Sequence, residues 1–299
     1  MENLSFPSEF DIVQKLKSSP KLFFVTNFFF VILYIVAFIG TINIIYHIIQ
    51  IKKKRINPIL SENNKISLNF SHLILVTSFY YLSIFFLQLI VRLSYIIQHI
   101  SIPDELPYST VVLIDLIAKS ILTFFLISLI IKLTHHPFKE IGFSIHNLFS
   151  HIKFGILTII TITPILLVLL FINSEVLRLK QVAPIVKIVF ATTSIYTQII
   201  MVLNILIISP IAEEIFFRYL LNGCLKREFG VWLSIFLGGM IFAALHFNPS
   251  DFLPLTVLGI GLSYIYELKR SIIIVIVAHF LFNFSSLIML YIIKFLFQN

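Results

Sequence analysis

Cysteine occurs once in this chain, at Cys224. That excludes an intramolecular disulfide, a Cys-based zinc site and a Cys-x-x-Cys redox pair. With no base at suggestive spacing, the lone thiol reads as a buried packing residue rather than a nucleophile. Charge is scarce too: Asp, Glu, Lys and Arg make up 12% of the 299 residues, against about a quarter in soluble domains. So few charges cannot cover a water-exposed surface. Neither His-Glu-x-x-His nor Gly-x-Ser-x-Gly occurs, which argues against zincin metalloproteases and α/β-hydrolases. There is no internal repeat, low-complexity tract or soluble linker. The first apolar run, about 23–50, is too long for a signal-peptide core and lacks a small-residue cleavage site.

What the chain has in abundance is apolar surface. Hydrophobic residues reach 59%, and mean hydropathy is +1.01. A helix crossing a ~30 Å hydrocarbon core needs about 20 apolar residues. Eight segments qualify or nearly so: about 23–50, 70–98, 108–131, 153–173, 188–225, 231–247, 252–268 and 272–295. The expected fold is all-α, a polytopic membrane protein of about eight transmembrane helices in a single domain over 1–299. Pro210 is expected to kink or break the over-long fifth segment. The net charge of +8 lies in loops between apolar runs, which fits contact with anionic lipid headgroups and argues against nucleic acid as a partner. Loops after odd-numbered spans hold the larger share of Lys and Arg, which would put both termini outside. The Ile-, Phe-, Lys- and Asn-rich usage points to an AT-rich, Gram-positive genome, and the expected location is the bacterial plasma membrane.

Ionisable groups inside a span cost several kcal/mol unless paired, so each is a functional candidate. The richest cluster is Ser209-Pro210-Ile211-Ala212-Glu213-Glu214-Ile215-Phe216-Phe217-Arg218. Glu214 and Arg218 are four apart and can pair on one helix face. Glu213 points about 100° away and is left as a spare carboxylate. Phe242 and His246, and likewise His279 and Asn283, are four apart and share a face. At ~1.5 Å rise per residue, Glu213, His246, His279 and Asn283 lie about 18, 24, 12 and 18 Å from one side of the membrane. All four therefore fall in one intramembrane layer. A carboxylate and a histidine there can activate water, while a second histidine and an amide can donate to an oxyanion. The same Glu213, His246 and His279 could instead hold zinc, with one coordination position kept for water. Asp115 and Lys119, also four apart, read as a separate structural ion pair. Arg92 reads as snorkelling or paired, and His135, His136, His146 and His151 as solvated loop residues.

Glu213-Glu214-x-x-x-Arg218, Phe242-x-x-x-His246 and His279-x-x-x-Asn283 together resemble the three signatures of the CPBP family of CAAX proteases and bacteriocin-processing or self-immunity (Abi) proteins. The resemblance covers about 195–290, a catalytic-core region; Tyr219 departs from it where members often carry Gly. It implies an intramembrane endopeptidase acting on membrane-anchored proteins or on bacteriocin or signalling peptides. By resemblance, Glu213 and His246 activate water, His279 and Asn283 bind the oxyanion, and Glu214, Arg218 and Phe242 support them. Zinc is an open possibility. Two rival readings remain: a non-catalytic membrane immunity or scaffold protein, and a small-solute transporter, although transporters usually show internal repeats.

Overall fold

A computed structural model describes residues 31–32, 35–46, 69–98, 101, 106–133, 137–173 and 184–298. The described residues are helical, with short turns and no strand. Besides a single helical turn at Pro137–Glu140, the helices are α1 (Ile35–Tyr46), α2 (Phe70–Ile97), α3 (Tyr108–Leu133), α4 (Leu148–Phe171), α5 (Pro184–Ala191), α6 (Ile195–Leu203), α7 (Ser209–Glu214), α8 (Asn222–Ala244), α9 (Pro249–Lys269) and α10 (Ile272–Gln298). Two π-helical stretches, Asn204–Ile208 and Ile215–Leu221, join α6, α7 and α8 into one helical run. Among the described residues, five helical runs are long and apolar enough to cross a membrane: 70–97, 108–133, 148–171, 195–244 and 272–295. The protein is thus an all-α integral membrane protein.

The eight expected segments do not map one to one onto these runs. Half of the segment 23–50 lies outside the described residues, and α1 occupies most of the other half. The segments 188–225 and 231–247 part at Gly230, whose φ 76° and ψ 173° are non-helical; the chain turns back there, so that Gly238 lies against the Asn222 side chain. Of the kink or break expected at Pro210, no break occurs, and π-helical stretches flank it on either side; a break falls at 192–194, between α5 and α6. Pro210 is accommodated because it occupies the first turn of α7, directly after a π-helical stretch, where a missing N–H is best tolerated.

Local chemistry explains the element ends. Asn69 caps α2 by accepting from the His72 N–H, and His72 Nδ1 accepts in turn from the Asn69 N–H, a reciprocal capping box. Asn248 caps α9 through Ser250, Pro249 and Asp251 occupy its first turn, and Lys269 sits in its last turn before Arg270 turns left-handed at φ 49°. Each choice satisfies an orphan terminal group or complements the helix dipole.

Helix α9 packs against α8 and α4, and α10 packs against α4, α7 and α9. The α8–α9 crossing is very close. A Cβ on Gly259 would lie 2.8 Å from Gly239 Cα, and one on Gly239 would lie 2.8 Å from the Ile260 nitrogen. Small residues permit this approach where lipid supplies little hydrophobic drive between helices. Helix α2 differs: of its residues only Val76 is buried, and it packs on α3. The buried centre is built around Ala212, Tyr219, Leu220, Phe242, Leu258 and Leu262.

Candidate active site

Helices α3, α7, α9 and α10 and the turn after α8 bring polar groups to this centre. The spacing of Glu214 and Arg218 delivers the pair that helix geometry requires. Arg218 Nε donates to Glu214 Oε2 at 2.6 Å and Nη2 to Oε1 at 3.3 Å, with both side chains fully buried. A buried pair is tolerable only when its remaining donors are also met. Here Arg218 Nη1 donates to the Gly259 carbonyl (3.1 Å) and to Ser263 Oγ (2.8 Å). The guanidinium also lies over the Phe242 ring at 5.2 Å, a cation–π contact. Phe242 in turn meets the rings of His246 and His279, with centroids 4.8 and 5.8 Å away.

Both histidines have their Nδ1 engaged. His246 lies in the turn just after α8, and its Nδ1 is 2.7 Å from the Phe242 carbonyl. A carbonyl only accepts, so Nδ1 carries the proton and Nε2 carries the lone pair of the neutral ring. His279 Nδ1 is 2.7 Å from Glu214 Oε1, which fixes the same tautomer. Its Nε2 lies 3.9 Å from Glu213 Oε2. Glu214 therefore orients His279 as well as pairing Arg218.

Glu213 is not a spare carboxylate. Its Oε1 lies 3.2 Å from Lys119 Nζ, and the same ammonium is 3.2 Å from Asp115 Oδ2. Helical spacing showed that Glu213 and Glu214 face apart, but it could not reveal a partner on a helix about 90 residues earlier. The Asp115–Lys119 pair, read from the sequence as separate, is thus part of the site. Lys119 also donates to Ser209 Oγ at 2.6 Å, and Asn204 Nδ2 donates to Asp115 Oδ2 at 2.7 Å. The available signal was the pair of ionisable groups within an apolar helix.

Glu213, His246, Asp115 and Lys119 line a cavity of about 420 Å³, closed on one side by Thr77 and Tyr80 of α2. That size falls within the range of small-ligand clefts. His279, which is buried, and Asn283 are not part of this lining. Asn283 Nδ2 donates to the Ile205 carbonyl at 2.9 Å. The reason lies in the backbone. In the π-helical stretch the Ser209 N–H reaches back to the Asn204 carbonyl. The next carbonyl, Ile205, would by the same pattern await the N–H of residue 210, which is proline. Asn283 supplies the missing donor.

A zinc site would need Glu213, His246 and His279 to present donors to one point. Among the described residues no group of three or more His, Cys, Asp or Glu side chains is arranged to hold a metal ion, so no step is derived through one. Arg92 is exposed, and His146 and His151 join no such group; His135 and His136 lie outside the described residues.

Residues 195–285 match a family described as Type II CAAX prenyl endopeptidase Rce1-like. Neither a curated protein nor a solved structure matches the chain. The matched segment contains all three motifs, so this part of the chain is similar to that family, in agreement with the resemblance read from the motifs. The match supports a CAAX-type membrane endopeptidase in general terms, with a protein or peptide as substrate.

Proposed function

We propose that this protein hydrolyses peptide bonds of membrane-anchored proteins or peptides, using water activated by Glu213 and His246. The observation that carries the reading is the shared cavity. An acceptor carboxylate and an imidazole with its Nε2 lone pair free open onto one cavity, and both residues lie in the segment that matches the CAAX endopeptidase family. A water held there loses a proton to Glu213 as its oxygen attacks the scissile carbonyl. His246 accepts a second hydrogen bond from that water and fixes its orientation. The proton then passes to the leaving amine, which departs as the tetrahedral intermediate collapses. No metal ion takes part in this scheme.

Oxyanion binding by His279 and Asn283, neither of which lines the cavity, requires the substrate carbonyl to reach past Glu213 towards His279 Nε2, which lies 3.9 Å from Glu213 Oε2. With Nδ1 donating to Glu214, His279 Nε2 donates only when the ring carries both protons. Asn283 has one amide N–H beyond the one given to Ile205. The substrate is membrane-borne, because the cavity lies among apolar helices; prenylated proteins, bacteriocin leaders and signalling peptides are the classes to compare. The test uses purified protein in liposomes with lipid-anchored peptides, prenylated and not. Wild type should cut at least one class, and Glu213→Gln and His246→Ala should be at least ~100-fold slower. Wild-type rates for both variants would overturn the reading.

A further inference from the structure

The proposed chemistry leaves one half-buried charged group of the cavity, Lys119, without a task. Lys119 lies on α3, outside the segment that matches the CAAX endopeptidase family. Its ammonium has three N–H groups and three protein oxygens around it: Ser209 Oγ at 2.6 Å, Asp115 Oδ2 at 3.2 Å and Glu213 Oε1 at 3.2 Å. Side-chain exposure falls from 40% at Asp115 to 18% at Lys119 and 17% at Glu213. Asp115 is itself held by the Asn204 amide at 2.7 Å.

We infer that Lys119 is a positioning residue for Glu213: held by Asp115 and Ser209, it anchors Oε1 and leaves Oε2 as the oxygen that receives the proton from water. This rests on the endopeptidase reading above. Three features support it. First, the ammonium has as many protein oxygens as N–H groups, so none remains for a substrate oxygen while the cluster is intact. Second, two carboxylates face one ammonium in the cavity, which disfavours capture of a substrate carboxylate by Lys119. Third, Ser209 and Glu213 are four apart on α7, so one ammonium meets both on a single helix face. A carboxylate held at one oxygen is pre-oriented, and loss of that orientation costs rate rather than binding.

The experiment exploits the single native cysteine, which is buried. Lys119→Cys is purified, and its introduced thiol is alkylated with either 2-bromoethylamine or 1-bromopropane. The first restores an ammonium at lysine length; the second gives a neutral side chain of matched length. Intact mass confirms each product, and thermal unfolding confirms its fold. The propylated protein should lose about 100-fold in kcat with KM little changed, and the aminoethylated protein should recover most of that loss. Equal rates for the two products, or a loss confined to KM, would overturn the inference. If Lys119→Cys does not fold, Lys119→Arg carries the test. A lowered kcat at unchanged KM supports positioning; an unchanged kcat or a raised KM overturns it. Full activity of Glu213→Gln would remove the endopeptidase reading itself, whatever the Lys119 variants do.

Discussion

At the scale of single residues, the centre is a set of mutually satisfied charges rather than a row of independent catalytic groups. Glu214 accepts from both Arg218 and His279 with no exposure to solvent. Removing either member of its ion pair strands a buried charge, which costs about 3–5 kcal/mol. Glu214→Gln and Arg218→Ala should each unfold at markedly lower temperature in detergent than wild type. Arg218→Lys should be milder but not silent, because the guanidinium fork that reaches Glu214, Gly259 and Ser263 is lost. Thermal-shift curves that overlay wild type would contradict the pairing. Asn283→Ala has a different signature. It leaves the Ile205 carbonyl unmet, at about 1–3 kcal/mol if that site stays dry. Accordingly, amide exchange along 204–209 should quicken, whereas a pure oxyanion role would slow turnover and leave exchange unchanged.

At the scale of elements, the sequence was legible wherever the relevant contact lies within one helix turn. Spacing of four placed Glu214 on Arg218 and Phe242 beside His246, because both are properties of one helix. The apolar runs marked most of the helices, since crossing lipid leaves few other options for the backbone. What failed was anything set between helices or by backbone irregularity. The Lys119–Glu213 contact depends on how α3 and α7 pack, and no local period encodes that. The expected break at Pro210 did not occur because two π-helical stretches absorb the irregularity, and such stretches have no simple residue signature. The α8–α9 crossing offers a test at this scale. Gly239→Leu or Gly259→Leu would force backbones apart that now approach to van der Waals limits. Such overpacking typically costs ~1–3 kcal/mol or more, and it should also move Phe242 and lower activity. A variant with wild-type stability would mean the crossing is looser than the structure shows.

At the scale of the whole molecule, the segment that matches the CAAX endopeptidase family, 195–285, is joined to upstream helices that complete the cavity lining. Helices α2 and α3 provide Thr77, Tyr80, Asp115 and Lys119 to the cavity, so the matched segment alone does not contain the complete lining. The central claim is that this cavity cuts membrane-borne peptides through Glu213. Its most direct test is comparative peptidomics of membranes from cells expressing wild type or Glu213→Gln at equal abundance. The account predicts a defined set of new termini in membrane-associated proteins or peptides, present with wild type and lost with the variant. Identical peptide sets from the two, with both proteins folded and inserted, would contradict it.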